Sequence, residues 1–152
     1  MNRGSASAFA AALRNVRRAV DELGTLPRKL AVQAAPLISA EIRQQFVAGK
    51  DPYGVPWAPL KPSTLKQHGP PPLTRTRKLR DGTKAEPMHA GRIGIKITIG
   101  ARYGAFHQIG FRVGRTKVPA RRILPNRGLP AAWRKLLSER ARFIAARAAG
   151  RI

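Results

Sequence analysis

Three carboxylates, Asp51, Asp81 and Glu86, are the side chains of this sequence whose chemistry could support catalysis. Carboxylates gathered at one place can bind Mg²⁺, an arrangement that nucleases use. Their spacing along the chain does not require the three groups to meet, and only 7 of the 152 residues are acidic. A nuclease is therefore a hypothesis that the sequence permits but does not favour.

The histidines do not form a metal-binding pattern. His68, His89 and His107 are 21 and 18 residues apart, so no two of them share a helical face as paired zinc ligands do. The sequence also contains no cysteine, no Gly-x-Ser-x-Gly elbow and no glycine-rich phosphate loop. We therefore expect no enzymatic activity, no metal and no cofactor.

Positive charge is the strongest signal in the composition. The chain has 30 Lys and Arg residues against 7 Asp and Glu, a formal net charge of +23, and residues 101–152 hold 13 of the cations with a single acid. A charge of this size in one small domain repels itself unless anions lie nearby. The sequence predicts an anionic partner, contacted by basic residues near the start of this final third. The candidates are Arg112, Arg115, Lys117, Arg121 and Arg122.

A basic nucleic-acid-binding protein is one function consistent with this charge, because neutralising phosphates releases counterions. Only 6% of the residues are aromatic, however, and Phe106 and Phe111 form no obvious stacking platform in the sequence. No zinc-finger or helix-turn-helix pattern stands out. No stretch approaches the 18 apolar residues that a membrane span needs, so we expect no membrane partner.

Two N-terminal helices are predicted within residues 1–48. Apolar residues from Phe9 to Leu23 recur at steps of four and three, which indicates an amphipathic helix that ends at Gly24. Pro27 is suited to begin a second helix, which Pro36 should kink or split. The apolar positions of both helices are expected to face the core.

Residues 49–73 form a proline-rich segment that cannot be a regular helix and is expected to be an extended arm, with one helical turn beginning at Ser63. Tyr53 and Trp57 each combine a large apolar body with a polar atom. Such side chains dock either on the chain's own core or on a neighbouring subunit, and the sequence leaves both interpretations open.

Residues 83–125 are predicted to form a small sheet. Isoleucines alternate with other residues over 92–99, which indicates a strand, and 83–90 should pair with it. A short helix over 101–109, a flexible basic loop over 110–118 and a strand over 118–124 follow. Residues 129–150 form the last helix. The prediction is one α+β domain over 1–152, with two N-terminal helices, a small antiparallel sheet with an inserted short helix, and a C-terminal helix.

Five short motifs occur in a fixed order along residues 50–125. They are Gly54-Val55-Pro56-Trp57-Ala58-Pro59-Leu60, Ser63-Thr64-Leu65, Leu73-Thr74-Arg75-Thr76-Arg77-Lys78-Leu79-Arg80-Asp81, Tyr103-Gly104-Ala105-Phe106-His107-Gln108-Ile109-Gly110 and Val118-Pro119-Ala120-Arg121-Arg122-Ile123-Leu124. In this order they resemble the virion morphogenesis (tail completion) family of Mu-like and related tailed bacteriophages. The chain departs from the family in two places: it has Thr76-Arg77-Lys78 where a Thr-Gly usually precedes the Leu, and Gly82 where Ser is common.

The resemblance implies a non-enzymatic structural protein of the virion neck, which completes the tail and makes it competent to join the DNA-filled head. It also implies a ring of six copies, assembly in the host cytoplasm, and contacts with neck and tail proteins and with packaged DNA in the lumen. The expected subunit or partner interface residues are Tyr53, Trp57, Pro59, Leu60, Tyr103, His107 and Gln108.

Overall fold

The computed structural model of the protein describes residues 3–69, 72–88 and 91–150, without the side chains of residues 3–12, 19 and 23. Predictions that concern Phe9, Leu23, His89 and most of the proline cluster at 70–72 lie outside these described parts. In chain order the elements are α1 (Arg3–Ala48), α2 (Pro62–His68), α3 (Lys78–Gly82), β1 (Lys84–Pro87), β2 (Ile95–Thr98), α4 (Gly104–Ile109), β3 (Phe111–Val113), β4 (Thr116–Val118) and α5 (Ala131–Ala148).

A single helix, α1, occupies the region where two helices are predicted. Pro27 and Pro36 both lie inside it, so the prediction of two helices is wrong. Proline has no N–H, so a proline inside a helix removes one hydrogen bond, at a cost of about 3 kcal/mol. Its fixed φ is itself helical, so the backbone can still follow the helical path. Ala34, Ala35 and Ile38 around Pro36 are buried, and this packing offsets the cost.

The C-terminal helix α5 is confirmed and packs antiparallel to α1. Trp133 near its start lines a groove with Gln45 from the end of α1, whereas Ala148 at its end lines a groove with Glu22. At 1.5 Å per residue, the 18 residues of α5 extend about 27 Å and the 46 residues of α1 about 69 Å. The helix α5 therefore covers the C-terminal part of α1 and leaves its N-terminal part beyond the domain.

The core lies where α1, α5 and β1 meet. The residues of α1 that enter it follow the helical spacing expected for the predicted second helix, and loop residues complete the cluster. Its buried members are Ala35, Ile38, Ile42, Phe46, Trp57, Leu79, Ala85, Ile123 and Trp133.

In the described residues the strands form two small antiparallel sheets rather than the single predicted one. Strand β1 pairs with β2, with Ala85 opposite Ile97, which confirms the predicted pairing over a shorter length. Ser39 of α1 binds this sheet: its buried hydroxyl donates to the carbonyl of Ala85 (3.2 Å) and accepts from its amide (2.8 Å). Strands β3 and β4 form the second sheet. The mixed helix and sheet content confirms the α+β class.

The helix α3 was not predicted, and the turn before it is strained. Arg77 adopts the left-handed backbone conformation, with a φ of 56°, and its carbonyl accepts the amide of Asp81 (2.8 Å). This conformation costs a residue with a Cβ about 1–2 kcal/mol and costs glycine almost nothing. The strained residue lies where the resembled family usually carries Thr-Gly.

We expect Arg77→Gly to raise the free energy of unfolding by about 0.5–1 kcal/mol, because the relief of strain exceeds the entropy that glycine adds to the unfolded chain. Urea unfolding with an unchanged m-value measures the change. Arg75→Gly is the matched control, since Arg75 is also exposed but is not among the positive-φ residues. An equal effect of the two substitutions would argue against strain at Arg77.

Candidate interaction surface

Helix α4 is held against the core by a residue without a side chain. Gly104 is buried at its start, and a Cβ there would lie 2.8 Å from Cδ1 of Leu79 and even closer to Ile99. Only glycine therefore lets the first turn of α4 approach the core this closely. The helix α4 carries two of the predicted interface residues, the half-buried His107 and Gln108, and a third, the exposed Tyr103, immediately precedes it.

Gln108 at the end of α4 fixes the segment that follows β4. Its carbonyl oxygen accepts the amides of Ile123 (2.8 Å) and Leu124 (3.0 Å), and its amide donates to the carbonyl of Leu124 (2.6 Å). The predicted strand over 118–124 is wrong, because Pro119 has no N–H and the backbone at 123–124 bonds to a side chain rather than to a neighbouring strand. Gln108 thus positions the chain from within the subunit.

Arg121 is a buried cation. Its side chain, 5% exposed, donates from Nε to the carbonyl of Ala58 (2.9 Å) and from Nη2 to that of Pro59 (3.0 Å). Burial lowers the pKa of Arg121 from its ordinary value, although a guanidinium stays charged. The structure therefore assigns Arg121 to fastening the 58–59 segment, while its neighbour Arg122 is exposed.

The first part of the proline-rich segment packs inward instead of reaching away. Trp57 is buried, makes an edge contact with Phe46 at 5.4 Å, and donates from Nε1 to the carbonyl of Arg122 (2.9 Å). The hydroxyl of Tyr53 accepts the amide of Arg127 (2.8 Å), whose guanidinium lies 4.9 Å from the ring centroid. Of the remaining interface candidates in this segment, Pro59 is exposed and Leu60 is half-buried.

His107 lies between two aromatic rings, 6.1 Å from Tyr103 and 5.4 Å from Phe111. Among the described residues, its buried Nδ1 finds no hydrogen-bond partner. Burial lowers the pKa of His107 below its ordinary 6.5, and the nearby Arg121 cation lowers it further. The neutral imidazole is therefore the form that the fold favours.

The lowered pKa of His107 predicts a loss of stability in mild acid. The folded protein binds fewer protons at this site than the unfolded chain, so the stabilisation is complete above about pH 6.5 and is lost as the pH falls through the folded-state pKa. We expect the free energy of unfolding to rise between pH 5.5 and 7.5, and His107→Gln to flatten this rise. His68→Gln, at an exposed histidine, is the matched control, and equal slopes for the two variants would contradict the assignment.

The predicted flexible basic loop is a β-hairpin. Val113 pairs with Thr116, so Gly114 and Arg115 form a two-residue turn, and Gly114 supplies the positive φ of 57° that such a turn needs. The loop prediction is wrong. Apolar and polar residues do alternate on both sides of Gly114, but each strand is only three residues long, so the sequence pattern is too short to indicate a hairpin.

The hairpin places like charges directly opposite one another. Arg112 and Lys117 are cross-strand partners, and both are exposed. Like charges in this position are destabilising, and a lone two-stranded hairpin is only marginally stable. No acidic residue occurs between Glu86 and Glu139 to neutralise them through the neighbouring sequence. The arrangement suits an anionic surface.

Large apolar side chains of α4 and β3 also face solvent. Ile109 is 78% exposed, Val113 62% and Phe106 55%, and the Phe106 and Phe111 ring centroids are 6.0 Å apart. We call the exposed surface of α4, β3 and β4 the hairpin face. It comprises Tyr103, Phe106, Ile109, Val113, Arg112, Arg115 and Lys117. Ile109 lines one groove with Arg112 and Lys117, whereas Val113, adjacent to Arg112 in the strand, projects from the opposite side of the hairpin. Sequence reasoning missed Ile109 and Val113, although apolar residues set among unpaired cations are a usable signal of such a surface.

The carboxylates considered for metal binding have separate local partners. Asp51 accepts the amides of Tyr53 (2.8 Å) and Val55 (2.9 Å), and Asp81 pairs with the adjacent Arg80 (2.6 Å). Within the described residues, no three Asp, Glu, His or Cys side chains gather as a metal site would need. In the same part of the chain no helix is long and apolar enough to cross a bilayer.

These features define an α+β protein whose candidate site is an exposed contact surface. Residues 5–142 match the sequence model of the phage virion morphogenesis family, and the chain belongs to that family. Its role is therefore in the structure and assembly of a phage virion. No curated protein and no solved structure matches the chain at a significant level.

Proposed function

We propose that this chain is a structural, non-catalytic protein of the phage neck, which completes the tail and joins it to the head as a subunit of a ring. The hairpin face carries the proposal. On one side of the hairpin the exposed Ile109 lies with the opposed cations Arg112 and Lys117, and on the other side Val113 is exposed. In a virion, such a surface is suited to bind an acidic neighbouring protein.

The physical role of the hairpin face follows from its two components. Burial of the apolar side chains against a neck or tail protein supplies the association free energy, at about 25 cal/mol per Å² of apolar area. The cations give orientation and select acidic partners, because like-charged surfaces are repelled. An acidic partner would also remove the repulsion between Arg112 and Lys117, so binding relieves a cost that the free hairpin carries.

A ring of six copies is the assembly that the family resemblance favours. Three residues remain candidates for contacts between copies. They are Pro59, which is exposed, Leu60, which is half-buried, and Tyr53 at the neighbouring turn. The hydrogen bonds of Trp57, Gln108 and Arg121 lie within the subunit. We therefore propose that these residues position the contact surface rather than bind a neighbour.

Deletion of the gene in the producing phage tests the proposal. We expect complete, DNA-filled heads and separate tails in negatively stained lysates, and restored joining when the protein is supplied from a plasmid. The protein should also be found in purified virions at the junction of head and tail. Joined, infectious particles without the protein would overturn the proposal.

A free nucleic-acid-binding protein is the second candidate, and one observation favours it. The Phe106 and Phe111 rings are neighbours, 6.0 Å apart, on elements that also carry the exposed cation Arg112, and paired rings near positive charge can stack bases. This function predicts a protein absent from virions that binds DNA with a steep salt dependence. Salt-insensitive or undetectable DNA binding would exclude it.

A further inference from the structure

The N-terminal part of α1 extends beyond α5, and its described side chains have no covering element. We call residues 3–21 the α1 arm; at 1.5 Å per residue it is about 28 Å long. The groove at the end of α5 reaches α1 only at Glu22 and beyond. Every described side chain of the arm, over 13–18 and 20–21, is exposed. The arm therefore presents all of its described surface to the outside.

One stripe of the α1 arm is apolar. Leu13 is 54% exposed, Val16 60% and Val20 61%, and their steps of three and four place them along one side of the helix. The sequence continues the same spacing with Phe9 and Leu23. A solvent-facing stripe of this kind is what a helix presents when it lies in the groove of another protein. An isolated helix of this length is marginal in water, so a groove would also stabilise it.

Charge distinguishes between the molecules that could cover this apolar stripe. The α1 arm contains four arginines, Arg3, Arg14, Arg17 and Arg18, and a single acid, Asp21. Two copies of the arm laid side by side would therefore bring eight cations together with only two acids. Three half-exposed aliphatic side chains also bury far less than the roughly 800 Å² per partner of a stable interface. A groove that wraps the helix and carries acidic residues on its rims satisfies both constraints.

We propose that the α1 arm is a docking helix that lies in an apolar groove rimmed by Asp and Glu on a different protein of the virion. The inference rests on the proposed function in one respect, namely that the partner is a neck or tail protein. Leu13, Val16 and Val20 enter the groove, and Arg14, Arg17 and Arg18 pair with its rims. This contact is separate from the hairpin face, which is built from α4, β3 and β4.

Photo-crosslinking in cells that assemble the phage tests the docking helix. Benzoyl-phenylalanine is placed at Val16, or at Leu13 in a second variant, and the control is placed at Val32, which is also exposed (50%) but lies outside the arm. We expect Val16 and Leu13 to crosslink to a peptide of one other virion protein in which apolar residues are flanked by Asp and Glu. The Val32 position should give no such crosslink.

Two sets of substitutions identify the chemistry of the contact. Leu13→Gln with Val20→Gln should lower the crosslink yield at Val16 at least about tenfold, which corresponds to about 1.4 kcal/mol of binding. Arg14→Gln, Arg17→Gln and Arg18→Gln together should also lower it, because the attraction to the acidic rims of the groove is lost. Circular dichroism of the purified variants verifies that the fold is kept. A crosslink to a second copy of the chain, to a peptide without acids, or to no protein would overturn the proposal.

The joining assay separates this inference from the proposed function. If the deletion prevents joining but Val16 and Leu13 yield no crosslink to another virion protein, the docking helix is wrong and the neck function stands. If the crosslink to an acidic groove forms but heads and tails join without the protein, the neck function is wrong and the docking helix stands.

Discussion

Replacing Ile109 and Val113 by glutamate should give a folded protein that no longer joins heads to tails. Both side chains are largely solvent-exposed, 78% and 62%, so the substitutions remove little packing and should change the free energy of unfolding by less than about 0.5 kcal/mol. At an interface with an acidic partner, each substitution replaces apolar contact by a repelled charge. Two substitutions at buried interface positions should weaken binding at least about 100-fold.

The measurement is the titre of a gene-deleted phage complemented with the double variant, together with electron microscopy of the lysate. Ile93→Glu is the matched control, because Ile93 is 63% exposed and lies outside the hairpin face. The control should support a normal titre, and the double variant should leave free heads and tails. A normal titre for Ile109→Glu with Val113→Glu would show that the hairpin face is not a contact in the virion.

Trp57→Ala should destabilise the protein by about 3–5 kcal/mol, a large share of the 5–15 kcal/mol that holds a typical domain folded. Trp57 is 7% exposed, and its ring packs at 76° against that of Phe46. Removal leaves a cavity in the core and an unpaired carbonyl at Arg122. The adjacent Ala58 and Pro59, whose carbonyls accept hydrogen bonds from Arg121, would then no longer be held to the core by the Trp57 side chain.

Urea unfolding of purified Trp57→Ala and Trp57→Phe measures this effect. The phenylalanine variant keeps most of the ring volume but loses the Nε1–H donor, so we expect a smaller loss of about 1–2 kcal/mol. A cost below about 1 kcal/mol for Trp57→Ala, combined with a joining defect in phage, would contradict the core assignment. It would favour instead the other interpretation that the sequence allowed, in which Trp57 docks on a neighbouring subunit.

Patterns that depend on neighbouring residues were predictable from the sequence. The spacing of apolar residues in α5 and the isoleucine alternation around β2 report local backbone geometry, and both elements are present. The β1–β2 pairing is likewise confirmed, because the two strands are close in the sequence. The order of five short motifs indicated the virion morphogenesis family, to which the chain belongs.

Signals that compete locally were misread. Pro27 and Pro36 are strong helix breakers when only neighbouring residues are considered, yet α1 continues through both. Distant residues bury the helix around Pro36 and offset the cost there, whereas Pro27 is exposed. The cations of 110–118 suggested a loop, whereas the register of Val113 with Thr116 forms a hairpin. The pairing of Gln108 with the backbone at 123–124 has no sequence signature, since a glutamine on a short helix is compatible with many environments.

The sequence by itself determined the α+β class, the family, the excess of positive charge and the apolar spacing along α1. Only the tertiary structure decided which residues are buried among those with the same sequence pattern or residue type. Val16 and Ile42 both belong to regular apolar stripes of one helix, but α5 is too short to cover the first. Arg112 and Arg121 are the same residue type nine positions apart, one exposed to partners and one buried against carbonyls. Periodicity and composition describe a residue's own segment, whereas its burial depends on the length and position of other segments.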